Sequence, residues 1–474
     1  MNKLDQSRIF LWILPVSAWA VISILSFFIP AAGDDWYSST PIVDFSWRLF
    51  LPKNTFWRPI EPALRLLLGQ IPFAFPYLNH LLIVIAHGLT AYIISKITGF
   101  AGLSKRTTAL ACAVFLISPA VCATVFSVDG FNQAWSTALG FLSVWSYLRF
   151  KRPGNIIGWL SFAMIATLFK ESGVAWFAAA PLVAVAIEGR PILNRSQMSR
   201  IGWSVLIGVC GALFYLALRF ALRANIVLGS ESGRYSMHLS PIVWLKNIIL
   251  LVGLSTTAID TLAVFLPPRN IVLAAASFAA SLPLMVLTAL GVSRHRQRAR
   301  ILLLITSAAV VSMPHLLIEH SGEMHAYPTF AVLALLMAFA VDDLVVSSRR
   351  SIAFAIGLFL LASIGVGMHK WQLMYSHSLT AVPVARSIDA QTTEKKPETV
   401  LVVIVKDNLP GYSVFYQDPA KASAWGMSVI ELWEWKYPKK FLYADDKNSA
   451  GQHYDAMWVV YPNGRVVVKP GGVN

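Results

Sequence analysis

Residues 9–37 read IFLWILPVSAWAVISILSFFIPAAGDDWY. The run from Ile9 to Ile29 is apolar and long enough to cross a bilayer, which takes about twenty such residues. Pro30 closes it, and a short step later Asp34 and Asp35 stand side by side, followed by Trp36 and Tyr37. An aspartate at the centre of a span costs roughly 2.5–3.5 kcal/mol. At the membrane edge that cost falls, and the carboxylates can face a water-filled pocket. A carboxylate in a half-dry site has a raised pKa and makes a better base. The adjoining aromatic rings suit a platform for a sugar. The alternative is a solvated acidic loop with no role.

The rest of the chain agrees with a membrane setting. Of its 474 residues 56% are hydrophobic and only 13% charged, against about 25% charged in a soluble domain. The net charge of +15 reads as positive-inside bias, not as nucleic-acid binding, because the basic residues cluster between apolar runs. Cys112, Cys122 and Cys210 all lie in apolar segments, so neither a disulfide framework, a zinc site nor a catalytic thiol is indicated. Lys3 and Arg8 before the first run, and Ala31-Ala32 after it, imitate a secretory signal. The run exceeds the usual signal core of about 7–15 residues, so it is read as a retained span. Both readings put Asp34 on the outer face.

Apolar runs at 9–29, 77–97, 108–127, 131–149, 156–171, 172–188, 201–221, 270–291, 301–318, 326–346 and 352–369 predict about eleven transmembrane helices. Lys105-Arg106, Arg149 with Lys151-Arg152, Arg190 with Arg195 and Arg200, Arg294–Arg300 and Arg349-Arg350 then fall on the cytoplasmic side. The alternation holds if segment 241–266, bounded by prolines and carrying Lys246 and Asp260, lies on or dips into the outer leaflet. The outer regions are then loop 30–76, loop 222–240, turn 319–325 and the tail. The chain divides into a membrane domain, 1–370, and a small water-soluble α/β domain, 371–474. In the tail Thr399–Val405 reads as a buried strand and Ala420–Trp435 as helical. Asp455–Tyr461 and Arg465–Lys469 flank Pro462-Asn463-Gly464, a hairpin signal.

Further candidates sit at the outer edge. Arg58, in Phe56-Trp57-Arg58-Pro59-Ile60-Glu61-Pro62, could hold a phosphate or orient an aspartate, with Glu61 beside it; a snorkelling arginine is the alternative. His80 and His87 are seven apart and share a helix face, turned to a cavity or buried as structural histidines. Lys170-Glu171 lies between two short spans, as a phosphate-binding ammonium or as an ion pair closing a helical hairpin. Arg219, Arg223 and Arg234 run against the positive-inside bias and suit an anionic lipid headgroup. The turn holding Glu323 and His325 is crowded with polar groups.

Together these residues resemble the GT-C class of polytopic glycosyltransferases, and within it bacterial relatives of protein O-mannosyltransferases and tetratricopeptide-linked mannosyltransferases. The resemblance covers 9–190, and more weakly 215–345. It rests on Asp34-Asp35, Arg58-Pro59, the run Tyr77–Tyr92, Ser118-Pro119 and Phe169-Lys170-Glu171-Ser172, in that order. A family helix of the form His-x-x-Asn-x-x-x-His is matched at His80 and His87, but Ile83 takes the asparagine place and Asn79 precedes His80. A later Arg-Tyr-x-Tyr-x-Pro stretch is only echoed by His325-Ala326-Tyr327-Pro328.

The resemblance implies a polyprenyl-phosphate-sugar donor and a base in the first outer loop, carried onto Asp34 or Asp35. The other residues named above line the substrate site. Some relatives bind a divalent metal through outer-loop acids, so a metal is possible; no other cofactor is implied. The acceptor is a glycan, lipid or protein hydroxyl, and membrane lipids surround the chain. The Trp-Trp-Asp signature of oligosaccharyltransferases is absent, which argues against block transfer of a glycan to asparagine. No Gly-rich phosphate loop is present, which disfavours a nucleotide-sugar donor. A bacterial inner membrane with a periplasmic active face fits the charge pattern. The rivals are a flippase for lipid-linked glycans and a non-catalytic membrane scaffold.

Overall fold

The computed structural model describes residues 3–29, 35, 45–52, 57–69, 77–149, 153–189, 195–222, 239–266, 269–294, 298–318, 321–347, 349–405, 415, 418–424, 440–445 and 449–473. Helices among these are α1 (Lys3–Phe27), α2 (Ile60–Gly69), α3 (Tyr77–Phe100), α4 (Lys105–Ile117), α5 (Pro119–Val125), α6 (Phe131–Arg149), α7 (Gly154–Phe169) and α8 (Trp176–Glu188). They continue with α9 (Arg195–Ala221), α10 (Pro241–Thr256), α11 (Thr261–Phe265), α12 (Ile271–Arg294), α13 (Arg298–Leu316), α14 (Ala326–Ser347) and α15 (Arg349–Lys395).

A helix stands at each of the eleven predicted spans. Among the described residues seven are long and apolar enough to cross a membrane, and eight if the bent pair α4–α5 is one span. The other three fall short for visible reasons. The described apolar part of α1 and the whole of α7 are short. Helix α6 is polar, and its Asn132, Gln133, Ser136, Thr137 and Ser143 are all buried, so it sits inside the bundle. The centre is the segment that includes α14, where 89% of the most apolar stretch of eighteen residues is buried, whereas in α9 that share is 17% and the helix faces outward.

Local chemistry sets the bends. Ser104 caps α4 by accepting from Thr107 N–H, and Ser118 caps α5 by accepting from Ala120 N–H. Pro119 follows at the first helical position, where its missing N–H matters least, and the pair bends by 55°. Helix α10 has 16 residues, about 24 Å at 1.5 Å per residue, shorter than the roughly 30 Å hydrocarbon core. After it the backbone breaks at 257–260. Ser281 and Ser277 of α12 accept from the N–H groups of Ala258 and Asp260, at 2.7 and 3.1 Å. Such a break is tolerated at membrane depth only where protein satisfies it.

Helix α15 spans 47 residues without interruption and crosses the boundary expected at 370. Its far end supplies Val384 and Ile388 to the core of the small domain, against Val400, Val402, Trp458 and Ala424. The sheet order is β2-β1-β3-β4, from β1 (Thr399–Ile404), β2 (Lys440–Tyr443), β3 (His453–Val460) and β4 (Val466–Val473). β1 pairs in parallel with β2 and β3, and β3 in antiparallel with β4. Gly464 takes φ +80° in the β3–β4 hairpin, the left-handed region that favours glycine. Residues 419–424 are helical, as expected for the start of 420–435, and 425–435 lie outside the described residues.

Candidate functional site

Asp35 is completely buried. One carboxylate oxygen accepts from the Ser127 hydroxyl at 2.6 Å and from the Asp129 N–H at 3.1 Å. The first acidic loop is thereby tied to the short turn Val128–Gly130 between α5 and α6. That turn packs so closely on α5 that a Cβ on Gly130 would stand 1.9 Å from the Thr124 carbonyl oxygen. Gly130→Ala must displace the turn and its link to Asp35. The expected result is a folded protein with most of its activity lost, read by membrane assay at matched expression. Asp34, Trp36, Tyr37, Arg223 and Arg234 lie outside the described residues.

A second group forms around Glu171, the first residue of the 3-10 turn Glu171–Ala175 after α7. Its two oxygens accept from the Trp57 N–H at 2.9 Å and from Arg58 Nε at 3.0 Å. The Trp57 ring stacks on Tyr215 of α9 at 5.6 Å, and Arg219 lies beside Tyr215. Glu61, in the first turn of α2, accepts from Asn132 Nδ2 at 2.7 Å. Burial opposes the Arg58 charge, but Glu171, Glu61 and Asp129 outweigh it and hold its pKa above the ordinary value. Burial, then the neighbouring Arg58, pulls Lys170 down to about 8, against the opposite pull of Asp129, Glu171 and Glu61. Thus Arg58, Glu61, Lys170, Glu171 and Arg219, scattered in sequence, share one region. Asp129 joins them. In the sequence Ser127-Val128-Asp129-Gly130, between two apolar runs, looks like an ordinary turn and carries no signal of this place.

A third group adjoins. Lys370 is fully buried on α15 and donates to Glu323 at 2.6 Å and to the Pro119 carbonyl at 3.4 Å. The Thr261 hydroxyl also donates to Glu323. One residue earlier, His369 Nδ1 lies 2.5 Å from buried Asp260, whose other oxygen caps α11 through the N–H groups of Leu262 and Ala263. The His325 ring accepts from Gly322 N–H and stacks on His315 at 4.5 Å. His315 lies close enough to Lys170 to feel its charge, which joins the second group to the third. Its Nε2 is buried without a partner.

His80 and His87 are buried elsewhere in the bundle. Ser26 spends its hydroxyl proton on the Val125 carbonyl, so His80 Nδ1 must donate to it, at 2.9 Å. His87 Nε2 faces the Leu116 carbonyl at 3.2 Å and therefore donates, which leaves Nδ1 to accept from Tyr327 at 2.9 Å. These bonds tie α3 to α1, α4 and α14. No hydrogen bond among the described residues links either histidine to Glu171.

Among the described residues no three His, Cys, Asp or Glu side chains gather as a metal site. Asp34, one of the outer-loop acids to which the resemblance would assign a metal, lies outside the described residues.

No protein-family model matches the chain, and no curated protein matches its sequence. Solved structures do. ArnT from Cupriavidus metallidurans bound to undecaprenyl phosphate matches with a TM-score of 0.50 at 11% identity, over 94% of this chain and 92% of that one. The Archaeoglobus fulgidus oligosaccharyltransferase gives 0.44 at 15% identity, over 86% and 63%. The mycobacterial arabinofuranosyltransferase AftD gives 0.39 at 15%, over 82% and 29%. The likeness to ArnT extends over nearly both chains and shows the fold. This is an α-helical, multi-pass membrane protein that shares the fold of ArnT and carries a small C-terminal sheet domain.

Proposed function

We propose that the chain is an inverting glycosyltransferase that moves a sugar from a polyprenyl-phosphate carrier to an acceptor hydroxyl at the periplasmic face of a bacterial inner membrane. The observation that carries this is the gathering of Lys170, Arg58 and Arg219 around Glu171, next to a turn held by Asp35. A lipid-linked donor fits a chain whose sequence carries no Gly-rich phosphate loop. ArnT, which shares the fold, was solved with undecaprenyl phosphate.

In the proposed step Asp34 takes the proton of the acceptor hydroxyl. The oxygen attacks the anomeric carbon, the bond to the phosphate oxygen breaks, and the lipid phosphate leaves with the electron pair. One displacement inverts the centre. Asp35, which spends a carboxylate oxygen on Ser127 and Asp129, positions its neighbour. Glu171 balances Arg58, so Arg58 fixes the loop. Lys170 and Arg219 are assigned to the leaving phosphate, together with Arg223 and Arg234 of the next loop. Fixed charges in a half-dry site stabilise the leaving anion without reorganising, which is worth several kcal/mol.

The test is transfer from radiolabelled polyprenyl-phosphate sugars to endogenous membrane acceptor, with wild type beside Asp34→Asn and Asp35→Asn. Equal transfer in all three, or none from any donor, would overturn the reading and favour a flippase. A pH profile adds a second check. The Lys170 ammonium is charged below a pKa of about 8 and neutral above it. The kcat/KM for donor is therefore expected to fall as pH rises through about 8, since it reports the free enzyme. In Lys170→Arg the fall disappears, because a guanidinium stays charged.

A further inference from the structure

The small domain carries a cavity that the transfer step does not use. It occupies about 210 Å³ between α15 and the sheet. Its walls are one face of α15 between Leu373 and Thr380, Ile404-Val405 at the end of β1, Val460–Pro462 at the end of β3, and Asp418–Ala420. β1 and β3 are parallel neighbours, so the cavity lies outside the carboxyl ends of adjacent parallel strands. That is where open α/β sheets place their ligands.

The lining has a mixed character. Leu373, Ile404, Val460, Pro419 and Pro462 give apolar walls, while Ser376, His377, Thr380, Asp418 and Tyr461 give polar groups. Ser376 and Thr380 are four apart on α15 and share a face. Thr380 gives its hydroxyl proton to the Ser376 carbonyl, so its oxygen can accept from a ligand. Asp418 Oδ1 accepts from Ala420 N–H. A carboxylate therefore already occupies the N–H groups that would have drawn a phosphate, and its charge repels anions. Burial raises its pKa, as expected for a carboxyl in a half-dry cleft. Tyr461 is 39% exposed at the rim, with Arg465 over its ring at 6.0 Å.

The carboxylate excludes an anionic ligand, and the mixed lining suits a molecule rich in hydroxyls and apolar on one face. We propose that the cavity is a sugar-binding subsite that holds a neutral hexose of the acceptor glycan. The acceptor role rests on the transferase reading; sugar binding does not. His377 is seven residues from Lys370 on one helix, about 10.5 Å at 1.5 Å per residue. A short oligosaccharide could reach from this subsite to the group around Glu323.

The experiment uses the full chain in lipid nanodiscs, so that no glycoside detergent competes. Saturation-transfer difference NMR is recorded with methyl α-mannopyranoside, methyl β-glucopyranoside and methyl β-galactopyranoside. At least one should receive saturation from wild type and equally from Asp35→Asn. The signal should weaken roughly tenfold in Asp418→Ala and in Thr380→Val, in line with the loss of one hydrogen bond to the ligand. Tyr461→Ala, at the exposed rim, should weaken it without touching the core. No saturation of any glycoside, or saturation unchanged in all three pocket variants, would overturn the subsite. A glycoside signal lost in Asp418→Ala supports it even if the labelled-donor assay shows no transfer, so the two readings fail separately. With transfer present, Asp418→Ala should raise the acceptor KM and leave kcat unchanged; a fall in kcat at constant KM would remove the acceptor role.

Discussion

Asp34→Asn is expected to reduce sugar transfer by roughly 10²–10⁴-fold, the usual contribution of a general base, without changing the melting temperature. Asp35→Asn is expected to lose transfer and also to melt lower. The two differ because of what each carboxylate does. Asp35 is buried and accepts from a hydroxyl and a backbone N–H. Hydrogen bonds to a charged group contribute about 1.5–3 kcal/mol each, and an amide in place of the carboxylate weakens both. It also loosens the turn that carries Asp129. Asp34 has the adjacent place and is assigned the proton transfer. Transfer and thermal melting on the same two variants decide the matter. A variant Asp35→Asn that melts like wild type, paired with an active Asp34→Asn, would exchange the two roles.

The helices were legible because apolar runs of about twenty residues have few alternatives in a bilayer. The bounding prolines and the charge of 241–266 mark it off from the ordinary spans, but they do not show the break at 257–260, where Asp260 caps the helix that follows. The hairpin was legible from Asn463-Gly464. Arg58, Lys170 and Glu171 were picked out as polar groups at apolar edges, but their ion pair joins residues 113 apart, and no local pattern encodes such a partner. Asp129, His369 and Lys370 were passed over for the same reason. His369-Lys370 closes an apolar run and reads as the end of a span. Nothing at that point stops a helix, so α15 continues to Lys395, and Lys396 then takes a positive φ. Hydropathy changes near 370, whereas the helix itself ends at Lys395, where the backbone turns.

Lys370→Met is expected to give the largest loss of stability of any single change outside the acidic loop. Its ammonium is fully buried between the Glu323 carboxylate and the Pro119 carbonyl, with the Phe415 ring 5.1 Å away. Removing one member of a buried pair leaves the other charge uncompensated, at a cost of about 3–5 kcal/mol. Here the stranded group is Glu323, which keeps only the Thr261 hydroxyl from this set. Adding Glu323→Gln should therefore restore part of the loss, since the amide carries no charge to strand. A double-mutant cycle on thermal melting should show coupling of roughly 0.5–3 kcal/mol. Phe415 belongs to the tail, so the single variant should also expose the segment near 415 to protease sooner than in wild type. A Lys370→Met protein with wild-type melting and proteolysis would mean that Lys370, through the Phe415 ring, does not hold the tail to the membrane helices.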